Sequence, residues 1–116
     1  MNDFTDRSQF RIGDLLVIPA RLIVARDGQE IKFELCWMQV LVMLAEHAGE
    51  ALSTERLLID VWGSAFCGDS PVSKTISCIR KSIGDDSRNP RYIETEPRLG
   101  YRLIARVSFP ETRPRI

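Results

Sequence analysis

Lys74, Ser77, Cys78 and Lys81 stand three, one and three residues apart after Pro71. On a helix turning about 100° per residue, that spacing gathers them on one side. Ser73, Thr75 and Arg80 flank the same side. Hydroxyls, lysines and an arginine are donors that reach phosphate oxygens and base edges, and a helix fits the major groove of duplex DNA. Further along, Arg98 lies between Pro97 and Leu99-Gly100, in a sequence made for a tight turn. A single guanidinium on a thin hairpin suits the narrow, strongly negative minor groove. Arg88, Arg91, Thr95 and Arg102 surround that tip and could hold phosphates without reading sequence. After Asp86 every cation is an arginine, whose planar fork of donors suits phosphate and base edges better than a lysine would.

Other chemistries lack their residues. His47 is the sole histidine, with no nucleophile and orienting acid arranged around it in sequence, and no glycine-rich phosphate cradle is present. The chain reads as a binding protein and not an enzyme. Cys36, Cys67 and Cys78 form no C-x-x-C pair, so neither a zinc site nor any cofactor is expected. An odd cysteine count without a signal peptide points to a reducing, cytoplasmic setting. The longest apolar run, Trp37 to Ala45, is broken by Gln39 and falls well short of the roughly 20 residues of a spanning helix. Sixteen basic and sixteen acidic residues cancel over the 116-residue chain. The halves differ, with six basic against ten acidic residues up to Asp60 and ten against six from Val61 onward. The second half is therefore the basic one, where an anionic partner would dock.

Elements that could position these residues follow from periodicity. Phe10 to Phe33 is rich in Ile, Val and Leu and is broken at Gly13-Asp14, Pro19 and Asp27-Gly28, the pattern of an antiparallel meander. Asp27-Gly28 predicts a hairpin pairing Leu22–Ala25 with Ile31–Phe33. A helix from Leu35 to Ala48, apolar on nearly every side, reads as the central core helix. Ser53 caps a second helix, with Leu57, Leu58, Val61 and Trp62 on one face. Ser70-Pro71 starts a third, whose stripe Val72, Ile76, Ile79, Ile83 faces inward. Tyr92–Thr95 then pairs with an alternating strand in which Tyr101, Leu103, Ala105 and Val107 share a face. The folded domain is set at residues 9–107, with residues 1–8 and 108–116 as a flexible start and a tail or linker.

Two helices, the second with a polar outward face, followed by an arginine-tipped hairpin, make an α+β winged helix-turn-helix: an N-terminal antiparallel sheet, three helices and a C-terminal wing. At these residues the chain resembles the OmpR/PhoB-type effector domains of bacterial transcription regulators. The likeness runs through Phe10-Arg11-Ile12-Gly13-Asp14, Met38 to Glu46, Leu52-Ser53 with Val61-Trp62-Gly63, and Ile79 to Asp86. Its most specific part is Asn89-Pro90-Arg91-Tyr92-Ile93-Glu94-Thr95 with Pro97-Arg98 and Gly100-Tyr101-Arg102-Leu103-Ile104-Ala105, which looks like the wing of the ToxR/CadC-like branch of transmembrane regulators.

The resemblance implies a four-stranded leading sheet, sequence-specific binding to double-stranded promoter DNA with the third helix in the major groove, and tandem or dimeric copies on DNA. It also implies that the loop from Gly63 to Ser70, with Ser64, Ala65, Phe66, Cys67, Gly68 and Asp69, touches RNA polymerase. A signal-transduction role follows, of the kind phosphorelay effectors have, although no receiver domain is present in these residues. Members of the branch usually continue into a membrane helix and a sensor, so membrane attachment would come through sequence outside this chain, which reads as an excised cytoplasmic domain in preference to a stand-alone regulator. Three positions depart from the pattern: Leu99 stands where an arginine or lysine is common, Glu96 where a valine is, and Cys78 where a basic or polar residue is. The competing reading is a winged-helix module that binds protein through the same third-helix face.

Overall fold

A computed structural model describes residues 9–64 and 70–109. Strands β1 (Phe10–Ile12), β2 (Leu15–Ile18), β3 (Ile23–Arg26) and β4 (Gln29–Lys32) form the expected antiparallel meander. At the β3–β4 turn Arg26 lies opposite Gln29, and Asp27 and Gly28 adopt φ of 53° and 81°. Positive φ at both central residues is what a two-residue turn needs to follow the strand twist, and Asp and Gly tolerate it best. The register is the expected one, with Val24 opposite Ile31 and the Phe33 N–H donating to Leu22 O at 2.7 Å, while the paired strands run closer to the turn, Ile23–Arg26 with Gln29–Lys32.

Helix α1 (Leu35–Glu46) buries Met38, Val40, Leu41, Val42, Leu44 and Ala45 and packs on α3 and the wing. Its Trp37 meets Phe33 edge to face at 5.5 Å. Helix α2 starts at Thr54, capped by Ser53, whose Oγ accepts the Arg56 N–H at 3.0 Å. After Leu57 it widens into a π-helical turn, Leu58–Trp62, and stops at Gly63. The wider turn leaves Ile59 exposed while Leu57 and Leu58 stay buried. Helix α3 spans Ser70–Ile83, and β5 (Ile93–Glu96) and β6 (Gly100–Leu103) make the wing. Apolar residues from the leading sheet, all three helices and both wing strands join in one core cluster. Among the described residues no helix is long and apolar enough to cross a membrane.

The C-terminal strand differs from its expected course. Alternation predicts one strand from Tyr101 through Val107, yet β6 ends at Leu103. The Ile104 N–H still donates to Tyr92 O at 2.8 Å, in register with the hairpin, and the chain then leaves it, with Arg106 O accepting the Gly13 N–H at 2.7 Å beside β1. Val107–Ser108 forms β7, so the leading sheet has five strands in the order β4-β3-β2-β1-β7, not four. Phe109 then lies against Phe10, with ring centroids 5.0 Å apart. Ser108 and Phe109, expected to belong to the tail, thus pair with or pack on β1.

Candidate nucleic-acid interface

Helix α3 presents the face that its pattern promises. Val72, Ile76, Ile79 and Ile83 are buried, while Ser73, Lys74, Ser77 and Lys81 are exposed and Cys78 is half-buried. Thr75 is the correction: it is 5% exposed. It sits one turn before Ile79, which widens the apolar stripe by one position and takes its hydroxyl away from the outward face.

Arg80 also turns out to have a different task. Its Nη2 donates to Ile93 O and to Thr95 Oγ1, both at 2.9 Å. The residue ties the outer edge of α3 to the first wing strand, so Arg80 and Thr95 form a brace between the two candidate DNA-contacting elements. A planar guanidinium makes two directed bonds at once, which a lysine would not reproduce. Arg102 is occupied as well. It stands opposite Glu94 across the hairpin and binds Glu94 Oε1 at 2.9 Å and the Glu96 carboxylate. An arginine held between two acids offers little charge to phosphates. Among the described residues, Lys74, Lys81, Arg88, Arg91, Arg98 and Arg106 are the exposed cations of the basic half.

At the tip, the Leu99 N–H donates to Glu96 O at 2.9 Å, Pro97 is the second residue and Arg98 the third, with φ of 69°. This is the arrangement of a type II turn, whose third position favours glycine. A non-glycine residue there carries backbone strain of roughly 1–2 kcal/mol. Below the tip the wing is fastened to the segment before α2: Leu52 and Tyr101 exchange two backbone bonds of 2.8 and 2.9 Å. Gly49 N–H adds a bond to Leu103 O at 3.0 Å.

The base of the wing is held by two acids. Asp85, just after α3, accepts the backbone N–H groups of Arg91 and Tyr92 on Oδ1 and of Ile93 on Oδ2. Tyr92 is 2% exposed and its hydroxyl donates to Asp14, in the β1–β2 turn. Arg91 caps this pair, with Nη2 3.1 Å from the Tyr92 hydroxyl and its guanidinium over the ring. The tyrosine bond holds the Asp14 carboxyl below its ordinary range, while burial first and Asp14 second push the Tyr92 phenol up. A lowered carboxyl contributes stability above its unfolded value, near pH 4, and that contribution is lost as pH falls through the folded value. The gap in Tm between the protein and Tyr92→Phe should therefore narrow from about pH 7 to about pH 3, as thermal melts would show. A gap that is constant or widens would refute this role of the Asp14–Tyr92 bond.

The chain matches, over residues 28–103, the family described as "Transcriptional regulatory protein, C terminal". It belongs to that family. Its winged-helix fold is that of the OmpR/PhoB-type effector domains of transcription regulators. Transcriptional activator CadC of Escherichia coli K12 is 37% identical over 98 residues, which make up 84% of this chain and 19% of CadC. The chain thus spans about a fifth of that relative's length. The solved DNA-binding domain of E. coli CadC superposes with a TM-score of 0.79 at 34% identity, covering 89% of this chain and 97% of that one. The Klebsiella pneumoniae RstA DNA-binding domain, solved in complex with the RstA box, gives 0.76 at 26% identity over 84% and 98% of the two chains.

Of the contact residues expected from sequence, Ser73, Lys74, Ser77 and Lys81 lie exposed on α3, and Arg88, Arg91 and Arg98 are exposed on or beside the wing. Thr75 is buried, and Arg80, Thr95 and Arg102 are engaged within the domain. Of the loop residues expected to touch RNA polymerase, Ser64 is described; Ala65, Phe66, Cys67, Gly68 and Asp69 lie outside the described residues. Sequence reading gave no role to Leu52, Asp85 or Tyr92, which position the wing. For Asp85 a signal was present, an acid between a helix stop and a strand start, where bare backbone N–H groups need an acceptor.

Proposed function

We propose that the domain lays α3 in the major groove, with Lys74, Ser77 and Lys81 toward bases and phosphates, and sets the Arg98 tip in the adjacent minor groove. Arg88 and Arg91 would position it on the backbone. The observation that carries this reading is the Arg80 brace to Ile93 and Thr95, which locks an exposed polar helix face and an exposed arginine tip into one rigid pair. Two probes held at one separation meet adjacent grooves without a further ordering cost on binding. By the same reading the partner is double-stranded promoter DNA, the setting is cytoplasmic, copies bind in tandem or as a dimer, and residues 64–69 meet RNA polymerase. Catalysis is not part of it. The lone His47 is engaged at both ring nitrogens, 3.0 Å from Met43 O and 3.2 Å from an Arg56 Nη2.

Fluorescence anisotropy against duplex DNA across a salt series tests the proposal, with Arg98→Gly and Lys74→Ala beside the parent. Arg98→Gly separates function from fold, because glycine relieves the left-handed strain at the tip. Its melting temperature should hold or rise, while affinity falls roughly tenfold and the log–log salt slope drops by about one. Lys74→Ala should lower the slope in the same way. Salt-independent binding, or none, would sink the reading and favour a protein partner for the α3 face.

A further inference from the structure

Leu99 is 60% exposed, more than any other exposed large hydrophobic residue of the described chain. It does not wave on a loose loop. Its N–H is bonded to Glu96 O, and the strand below is fastened by the Leu52–Tyr101 bridge. The adjacent acid is turned away from the task, since the Glu96 carboxylate is taken up by Arg102. What the tip presents is therefore one guanidinium and one isobutyl group, side by side on a fixed turn. A surface complementary to both must be negative, narrow and walled by apolar groups. The minor groove meets that description, with deoxyribose walls and a floor that is smooth over A·T pairs. Over G·C pairs the guanine 2-amino group projects into the groove, a donor that a leucine can neither accept nor make room for.

We propose that Leu99 is a specificity-determining residue that packs on the sugar walls beside Arg98 and excludes the guanine 2-amino group, so that the wing selects A·T pairs. The inference rests on the DNA-binding reading above and adds a steric filter to the electrostatic preference that an arginine has for narrow grooves.

The test uses a duplex selected by the parent protein from a random library. Its wing end is located as the base pairs whose protection from hydroxyl radicals is lost in Arg98→Gly. Those pairs are then made A·T, G·C or inosine·C, the last being a G·C pair without the 2-amino group. The parent should bind the A·T and inosine·C duplexes equally and the G·C duplex roughly fivefold or more weakly. In Leu99→Ala the G·C penalty should shrink to within about twofold, with an unchanged melting temperature because the side chain is exposed. A penalty of the same size in Leu99→Ala, or none in the parent, overturns the inference while leaving DNA binding intact. Failure of the parent to bind any duplex in a salt-dependent way overturns the DNA reading itself.

Discussion

Gly100→Ala should lower the melting temperature by about 15 °C or more, the largest effect expected of an alanine at any of the described glycines. Gly100 has φ of 134°, and a Cβ built on it would lie 1.9 Å from Leu52 O and 2.8 Å from Ser53 Cα. Both neighbours are backbone, so no side-chain rotation relieves the clash. The strand has to move away, and the two bonds between Leu52 and Tyr101 open with it. Strain at such a backbone angle together with two lost bonds amounts to about 3–5 kcal/mol. Gly28→Ala is the control. Gly28 also has a positive φ, 81°, but nothing lies within 4 Å of its added Cβ, so about 1–2 kcal/mol is expected from strain alone. If the two variants melt within a few degrees of each other, the wing is not pinned to the segment before α2 as described.

That pinning explains which parts of the domain were legible in its sequence. Local signals held wherever the deciding physics is local. The Asp27-Gly28 turn needs only two residues that accept positive φ, and the Val72, Ile76, Ile79, Ile83 stripe needs only helical periodicity. Long-range pairing was hidden. β7 has two residues, too short to show a period, and its attachment to β1 depends on bonds made by Arg106 and Gly13, far apart in sequence. Arg102 counted as a phosphate donor because composition gives a residue's charge but not its partner. Once the register sets it opposite Glu94, with Glu96 two residues further on the same face, the ion pairs follow. Thr75 failed for the reverse reason: a hydroxyl looked polar, yet its position above Ile79 made it part of the core.

The same distinction between contact and positioning gives the second large effect. Asp85→Ala should cost about 3 kcal/mol and about 10–20 °C in melting temperature, although Asp85 is not placed on DNA. Its carboxylate accepts three backbone N–H groups, at 2.7 and 3.3 Å on Oδ1 and 2.9 Å on Oδ2, and hydrogen bonds to a charged acceptor are the stronger kind. Without it the Arg91–Ile93 backbone loses its anchor to the end of α3. Two further links start from this stretch, the Tyr92 hydroxyl to Asp14 and the Ile93 carbonyl to Arg80. Duplex affinity should then fall together with stability, whereas Arg98→Gly loses affinity at an unchanged or higher melting temperature. Asp85→Asn, which keeps one carbonyl acceptor, should fall between the parent and Asp85→Ala in both measurements. Paired melts and anisotropy titrations on the variants distinguish the roles: if Asp85→Ala keeps full thermal stability, the acid is not the anchor of the wing. If it loses stability but retains full affinity, α3 binds DNA without needing the wing held beside it.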